Sequence, residues 1–197
     1  MDKVYRSLAS HPLSAAADYA QPGDALAENV SLDSPAVQVM TDLTRVPVET
    51  VSLEAPIAEA NRLMIQRAIR LLLAIDAGRQ IAGLLTARDI LGEKPMLHMQ
   101  RHGVRYEEIR VVDIMTPRDA VDVLDMADVA RARVGDIVLT LKRAGRQHAL
   151  VTEADGNGRQ RVRGIFSASQ IARQAGISID PDELAKTFAQ IEAALLK

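Results

Sequence analysis

Cysteine is absent from all 197 residues. Disulfides, thiolate metal sites and cysteine nucleophiles are thereby excluded. Aromatic residues make up 3 % of the chain and tryptophan is missing. Any core is therefore aliphatic, built from Leu, Ile, Val, Ala and Met. Neither sign of charge dominates: 24 Lys and Arg face 26 Asp and Glu, a net charge of −2. A globally basic nucleic-acid binder is excluded, and only local patches remain. No apolar run approaches the ~18 residues that would suggest a membrane span. The N-terminal MDKVYRSLAS lacks an apolar signal region. These absences predict a soluble cytoplasmic protein. No P-loop, nucleophile elbow or HExxH motif occurs either, so the familiar nucleotide-hydrolase, esterase and zinc-protease chemistries have no carrier.

What is present suffices for a core, since 48 % of the residues are apolar. At about 100–200 residues per domain, the length suits one compact domain or two small ones. An internal repeat decides between them. Residues 81–90 read IAGLLTARDI and residues 162–171 read VRGIFSASQI, so Gly83, Thr86 and Ile90 align with Gly164, Ser167 and Ile171 at an offset of 81. The openings match as well: Val39-Met40-Thr41 resembles Ile114-Met115-Thr116 at an offset of 75. The copies span about 36–94 and 111–176, joined by a linker over 95–110 and flanked by 1–35 and 177–197.

Each copy carries the same succession of signals. In the first, Val46 to Val51 is extended and β-branched, and Pro56 suits a first helical turn. Ile57, Ala60, Met64 and Ala68 then make one apolar helical face. Leu71 to Ile75 predicts a buried strand, Asp76 to Arg79 a turn, and Ile81 to Leu85 a return strand. Thr86 opens a short helix. In the second copy the same roles fall to Val121–Val123, a helix capped by Asp128 with Val129, Val134, Ile137 and Leu141, the strand Ala149–Val151, and the return strand Val162–Phe166. The order β-α-β-β-α predicts an α/β (α+β) fold. A unit of this size is marginal alone. The copies are therefore expected to pack sheet to sheet about a pseudo-twofold axis, with helical flanks at both ends and function in the clefts between them.

These residues resemble a tandem pair of CBS domains, a Bateman module, over about 36–176. The resemblance rests on the Val-Met-Thr opening and on the closing Gly83-Leu84-Leu85-Thr86-Ala87-Arg88-Asp89. It implies a stand-alone, non-catalytic regulatory module. The ligand would be an adenosine compound, AMP, ADP, ATP or S-adenosylmethionine, with no other cofactor. The resemblance also implies a homodimer and a regulated partner. It assigns Asp89 to the ribose hydroxyls and Thr86 to ribose or phosphate. Gly83 would allow close backbone approach, and Arg88 and Arg118 would meet phosphate. Thr44 and Val46, with Met115 and Pro117, would line the adenine pocket. In the second copy Ser167 is kept but Gln170 stands where the aspartate would be, which implies one competent cleft per chain.

Plainer readings compete. Thr86 and Asp89 fit an N-cap and its third helical position, and Arg88 and Arg118 fit a solvated surface. A structural or assembly protein without a working nucleotide site is the first rival, favoured by Gln170. An enzyme acting on nucleotides is the second, and no general base, nucleophile or metal cluster supports it. His98 and His102 have a metal-binding spacing without a third ligand, while His11 and His148 stand alone. Glu153-x-Asp155-x-Asn157-Gly158 begins like a calcium loop but has Gly164 at the closing position. Asn29-Val30-Ser31 fits a glycosylation sequon without a secretory signal. The basic stretch 142–163, with Lys142, Arg143, Arg146, Arg159, Arg161 and Arg163, fits a solvated hairpin first and a surface for polyphosphate or an acidic partner second. Asp180 and Pro181 start a C-terminal helix, with Asp182 and Glu183 at its positive end. Its seam of Leu184, Phe188, Ile191 and Leu195 suits packing on its own chain or, the favoured reading, contact with a second subunit.

Overall fold

A computed structural model describes residues 30–175 together with 190 and 191. Residues 1–29, which include His11 and Asn29, and most of the C-terminal seam lie outside the described residues. Of that seam Ile191 is described, and it is fully buried in the core of the second copy.

The strands form two four-stranded sheets of identical design. One is built from β2 (Thr50–Ser52), β3 (Leu71–Ile75), β4 (Ile81–Thr86) and β5 (Thr116–Pro117). The other is built from β6 (Val123–Asp125), β7 (His148–Ala154), β8 (Gln160–Ser167) and β1 (Thr41–Asp42). In each, a short strand runs parallel to the central strand, a hairpin returns antiparallel, and the last edge strand is antiparallel again. The parallel pairs are joined by crossover helices: α1 (Ile57–Arg67) in the first copy, α5 (Met126–Val129) and α6 (Val134–Ala144) in the second. The helix expected from an Asp128 cap is thus two helices. Asp125 caps α5 by accepting from the Ala127 N–H, and Asp136 closes a capping box at the start of α6.

The edge strands come from the wrong side of the repeat. β1, from the first opening, pairs with β8, and β5, from the second opening, pairs with β4. Around them the openings are exchanged wholesale. Ala36 and Val39 are buried with Phe166, Ile171 and Leu141 of the second copy, while Ile109, Val111 and Ile114 are buried with Ile57, Leu72 and Leu85 of the first. The peptide groups follow: Ile57 N–H donates to Ile109 C=O, and Val111 N–H donates to Ala55 C=O. A smaller cluster of Leu71, Leu73 and Leu150, with Leu84 and Val121 against it, joins the two sheets face to face. The copies thus pack sheet to sheet, as the repeat implied. The extended segment expected at Val46–Val51 is strand only from Thr50.

Glycine is required where the exchanged openings pass closest. A Cβ at Gly83 would lie 2.4 Å from the Thr116 carbonyl oxygen and 2.8 Å from Met115 Sδ. At Gly164 the nearest atom would be Met40 Sδ, at 2.4 Å. Overpacking a tight site costs about 1–3 kcal/mol. Gly83→Ala, which strikes backbone, is expected to reach that range in urea unfolding. Gly164→Ala, which strikes a flexible side chain, is expected to lose less. No described helix is long and apolar enough to cross a membrane.

Candidate functional site

Strand β4 ends at Thr86, where α2 (Ala87–Leu91) begins. The junction is a capping box: the Asp89 N–H donates to Thr86 Oγ1, and Asp89 Oδ2 accepts from the Thr86 N–H and hydroxyl, both at 2.7 Å. Asp89 is one of two buried polar side chains in the described core, with 9 % exposure. Its second oxygen, Oδ1, meets Lys94 Nζ at 2.6 Å, and Lys94 also donates to the Ile114 carbonyl. Lys94 begins α3 (Lys94–His102), and Ile114 ends α4 (Val111–Ile114). The ion pair therefore ties α2 to the exchanged opening.

The capping reading and the ligand reading fall on the same atoms. Thr86, Arg88 and Asp89 line a pocket of about 160 Å³ between the copies, together with Thr116, Asp122, Arg146 and His148. The opening that faces Asp89 is thus that of the second copy. Arg146 is held by Asp122 at 3.0 Å. His148 stands at the first position of β7. Burial, and secondarily the charge of Arg70, hold its imidazole down at about 4, against a smaller upward pull from Asp89. It is neutral at pH 7 and can accept a hydrogen bond or take a proton when an anion arrives. Arg70 immediately precedes β3, and its Nε is buried with no hydrogen-bond partner among the described residues. Such an unpaired donor costs free energy that an acceptor from a ligand would recover.

The other expected residues are dispersed. Gly83 and Arg118 line a separate cavity on the opposite side of the inter-sheet cluster. The close approach at Gly83 is taken by the chain's own Thr116 and Met115. Met115 packs against the first core, and Pro117 pairs with Gly83. Thr44 spends its N–H and hydroxyl on Asp42 Oδ1, and Val46 is 44 % exposed. The Thr44 hydroxyl, then the Arg163 guanidinium, hold Asp42 down at about 2. Ser167 caps α7 (Ala168–Gln174) by accepting from the Gln170 N–H at 3.4 Å. Thr44, Val46, Met115, Pro117 and Ser167 line neither cavity. Sequence reasoning missed Arg70, Lys94, Arg146 and His148 as members of the site. For His148 the signal was the repeat register, since it opens a central strand, and Arg70 immediately precedes the other one.

His98 and His102 do share helix α3, with rings stacked at 4.4 Å. Among the described residues no group of three or more His, Asp or Glu is placed to hold a metal ion. The calcium-like segment is the β7–β8 turn.

No curated protein matches the chain in sequence. Solved structures match it in fold. An uncharacterized conserved protein from Pyrococcus horikoshii superposes with a TM-score of 0.53 at 20 % identity, over 77 % of this chain and 98 % of that one. A CBS-domain-containing protein from Agrobacterium tumefaciens gives 0.52 at 19 % identity, over 73 % and 94 %. CBSX2 of Arabidopsis thaliana, in complex with AMP, gives 0.50 at 18 % identity, over 74 % and 96 %. The family model for the CBS domain matches residues 37–95. Residues 37–95 thus match the CBS-domain model, and the chain has the fold of a CBS-domain pair.

Proposed function

We propose that the chain is a cytoplasmic regulatory module that binds an adenosine-containing nucleotide in the Asp89 cleft and transmits its binding state to a partner protein. The observation that carries this reading is a buried carboxylate on the wall of an inter-copy pocket, near His148, whose imidazole feels the charge of Arg70, an arginine whose Nε is buried without a partner among the described residues. Asp89 would accept from the two ribose hydroxyls, and Thr86 and Arg88 would flank the sugar and phosphate. Arg70, Arg146 and His148 would receive the phosphate, with charge-assisted bonds from the arginines. AMP is the first ligand to test, in keeping with the AMP complex of CBSX2. ADP, ATP and S-adenosylmethionine share the adenosine that Asp89 would read. Sites for drug-sized ligands commonly enclose about 300–1,000 Å³, so the cleft must widen, and Lys94 must release Asp89 Oδ1. That movement loosens the tie between α2 and α4, and gives the ligand different affinities for two arrangements, as coupling requires. Homodimerisation is supported by the exposed Ile65, Leu91, Met96 and Leu97 on the helical faces.

A second reading has its own support. Both carboxylate oxygens of Asp89 are already engaged, which suits a purely structural module. Calorimetric titration separates the two. AMP is expected to bind the intact chain, and Asp89→Asn to weaken it at least tenfold while keeping the cooperative melt. No heat from AMP, ADP, ATP or S-adenosylmethionine would establish the structural reading instead.

A further inference from the structure

The larger cavity, about 580 Å³, lies between the two hairpin turns, away from Asp89, Thr86 and His148. Its floor is aliphatic, formed by Leu73, Leu84, Leu150 and Val162 among others. Its rim carries four guanidinium groups, those of Arg79, Arg118, Arg159 and Arg161, against the single carboxylate of Asp155. Several arginines elsewhere are neutralised in place, Arg67 by Glu49, Arg110 by Glu54, Arg133 by Asp33, Arg146 by Asp122 and Arg163 by Asp42, whereas here four unpaired ones share one cavity rim. None of the four rim guanidiniums has an ion pair or hydrogen bond among the described residues. Asp155 offsets only part of this charge: it interacts electrostatically with Arg161 and Arg159, which leaves a net surplus of cations on the rim. Its Oδ1 accepts from the Asn157 and Arg159 N–H groups and is committed to its own turn.

The backbone supplies a second, independent observation. The two hairpins are built alike: Asp76 N–H donates to Gln80 C=O, and Asp155 N–H donates to Arg159 C=O. Position 79 in the first turn therefore corresponds to position 158 in the second. Both are left-handed, with φ +60° at Arg79 and φ +76° at Gly158. Glycine occupies this conformation freely, whereas a side chain is held there at a cost. The second hairpin uses glycine. The first carries an arginine there, on the wall of the cavity.

We infer that this cavity is a second ligand site, for a small organic polyphosphate whose apolar or aromatic body covers the aliphatic floor while its phosphates meet the rim arginines. It is separate from the Asp89 cleft and does not depend on that cleft binding a nucleotide. Guanidinium groups pair phosphate bidentately, and a net surplus of cations raises the local concentration of anions.

The test is calorimetry on the full chain at low salt, with inorganic tripolyphosphate and ATP as probes. Tripolyphosphate is expected to bind the wild-type chain and Asp89→Asn equally. Arg79→Gly and Arg161→Gln are each expected to weaken it at least fivefold. Arg79→Gly relieves the left-handed strain, so its melting temperature is expected to hold, and loss of binding cannot then be unfolding. In Asp89→Asn, ATP is expected to bind more tightly than tripolyphosphate because its base adds contact with the floor. The inference is overturned if the wild-type chain ignores tripolyphosphate, if Arg79→Gly binds it unchanged, or if Asp89→Asn abolishes it. ATP no tighter than tripolyphosphate in Asp89→Asn would remove the apolar body from the assignment. Failure of AMP, ADP, ATP and S-adenosylmethionine to show any binding that depends on Asp89 would refute the Asp89 reading and leave these results standing.

Discussion

Residues 37–95 expressed alone, the segment that matches the CBS domain, are expected to remain unfolded. The segment contains β2, α1, β3, β4 and α2 but not the opening that completes their core. Ile109, Val111 and Ile114, exposed by 0 %, 0 % and 3 %, come from beyond it. So does β5, which edges the sheet at Gly83 and Leu84. Truncating one buried aliphatic side chain costs about 2–5 kcal/mol, and a whole domain is stable by only about 5–15 kcal/mol. Losing three such side chains, with their backbone bonds to Leu53, Ala55 and Ile57, exceeds what remains. The segment also starts with Val37 to Asp42, whose buried Val39 belongs to the other core. Residues 43–118, which restore the opening, are expected to regain a cooperative melt by circular dichroism. A folded 37–95 segment would contradict the exchange of openings.

The second large effect concerns acid. His148 titrates at about 4 in the fold, against an ordinary value of 6.5. Between those values the unfolded chain takes up a proton that the folded chain refuses. Stability is therefore complete above pH 6.5 and falls as the pH drops from 6.5 towards 4. At 1.36 kcal/mol per pK unit the full loss is about 3 kcal/mol. Leu71 holds the same register position in β3, since Leu71 faces Thr86 as His148 faces Ser167. His148→Leu should therefore fit, leave stability unchanged above pH 7, and flatten the decline below 6.5 by about 2–3 kcal/mol in urea unfolding. Parallel pH profiles for the two proteins would show that His148 is not held neutral. A phosphate beside the imidazole would favour its protonated form, so AMP binding at pH 6 is expected to take up protons.

The repeat and the Thr86 cap were legible in the sequence because each is a local demand, whereas the need for glycine at 83 and 164 comes from the exchanged openings that pass there. Thr86 and Asp89 cap α2 for the reason their spacing suggests. The exchange of openings was not legible. Val39-Met40-Thr41 and Ile114-Met115-Thr116 look alike whichever sheet they join, and alternation of side chains reports an element without naming its neighbour. The same blindness explains the site. Arg118 and Gly83 were grouped with Asp89 by motif, yet they stand at the hairpin end of the sheets. Lys94 reaches Asp89 only because α2 and α3 fold back on each other, which no spacing announced. Arg79 was read as a turn residue, and only its φ of +60° sets it apart.

The most direct test of the ligand reading is a crystal structure of the chain with AMP. The account predicts both ribose hydroxyls within hydrogen-bond distance of the Asp89 carboxylate, Lys94 moved off Oδ1, and the phosphate between Arg70 and Arg146. AMP bound at another place, with Asp89 still bonded to both Thr86 and Lys94, would contradict it.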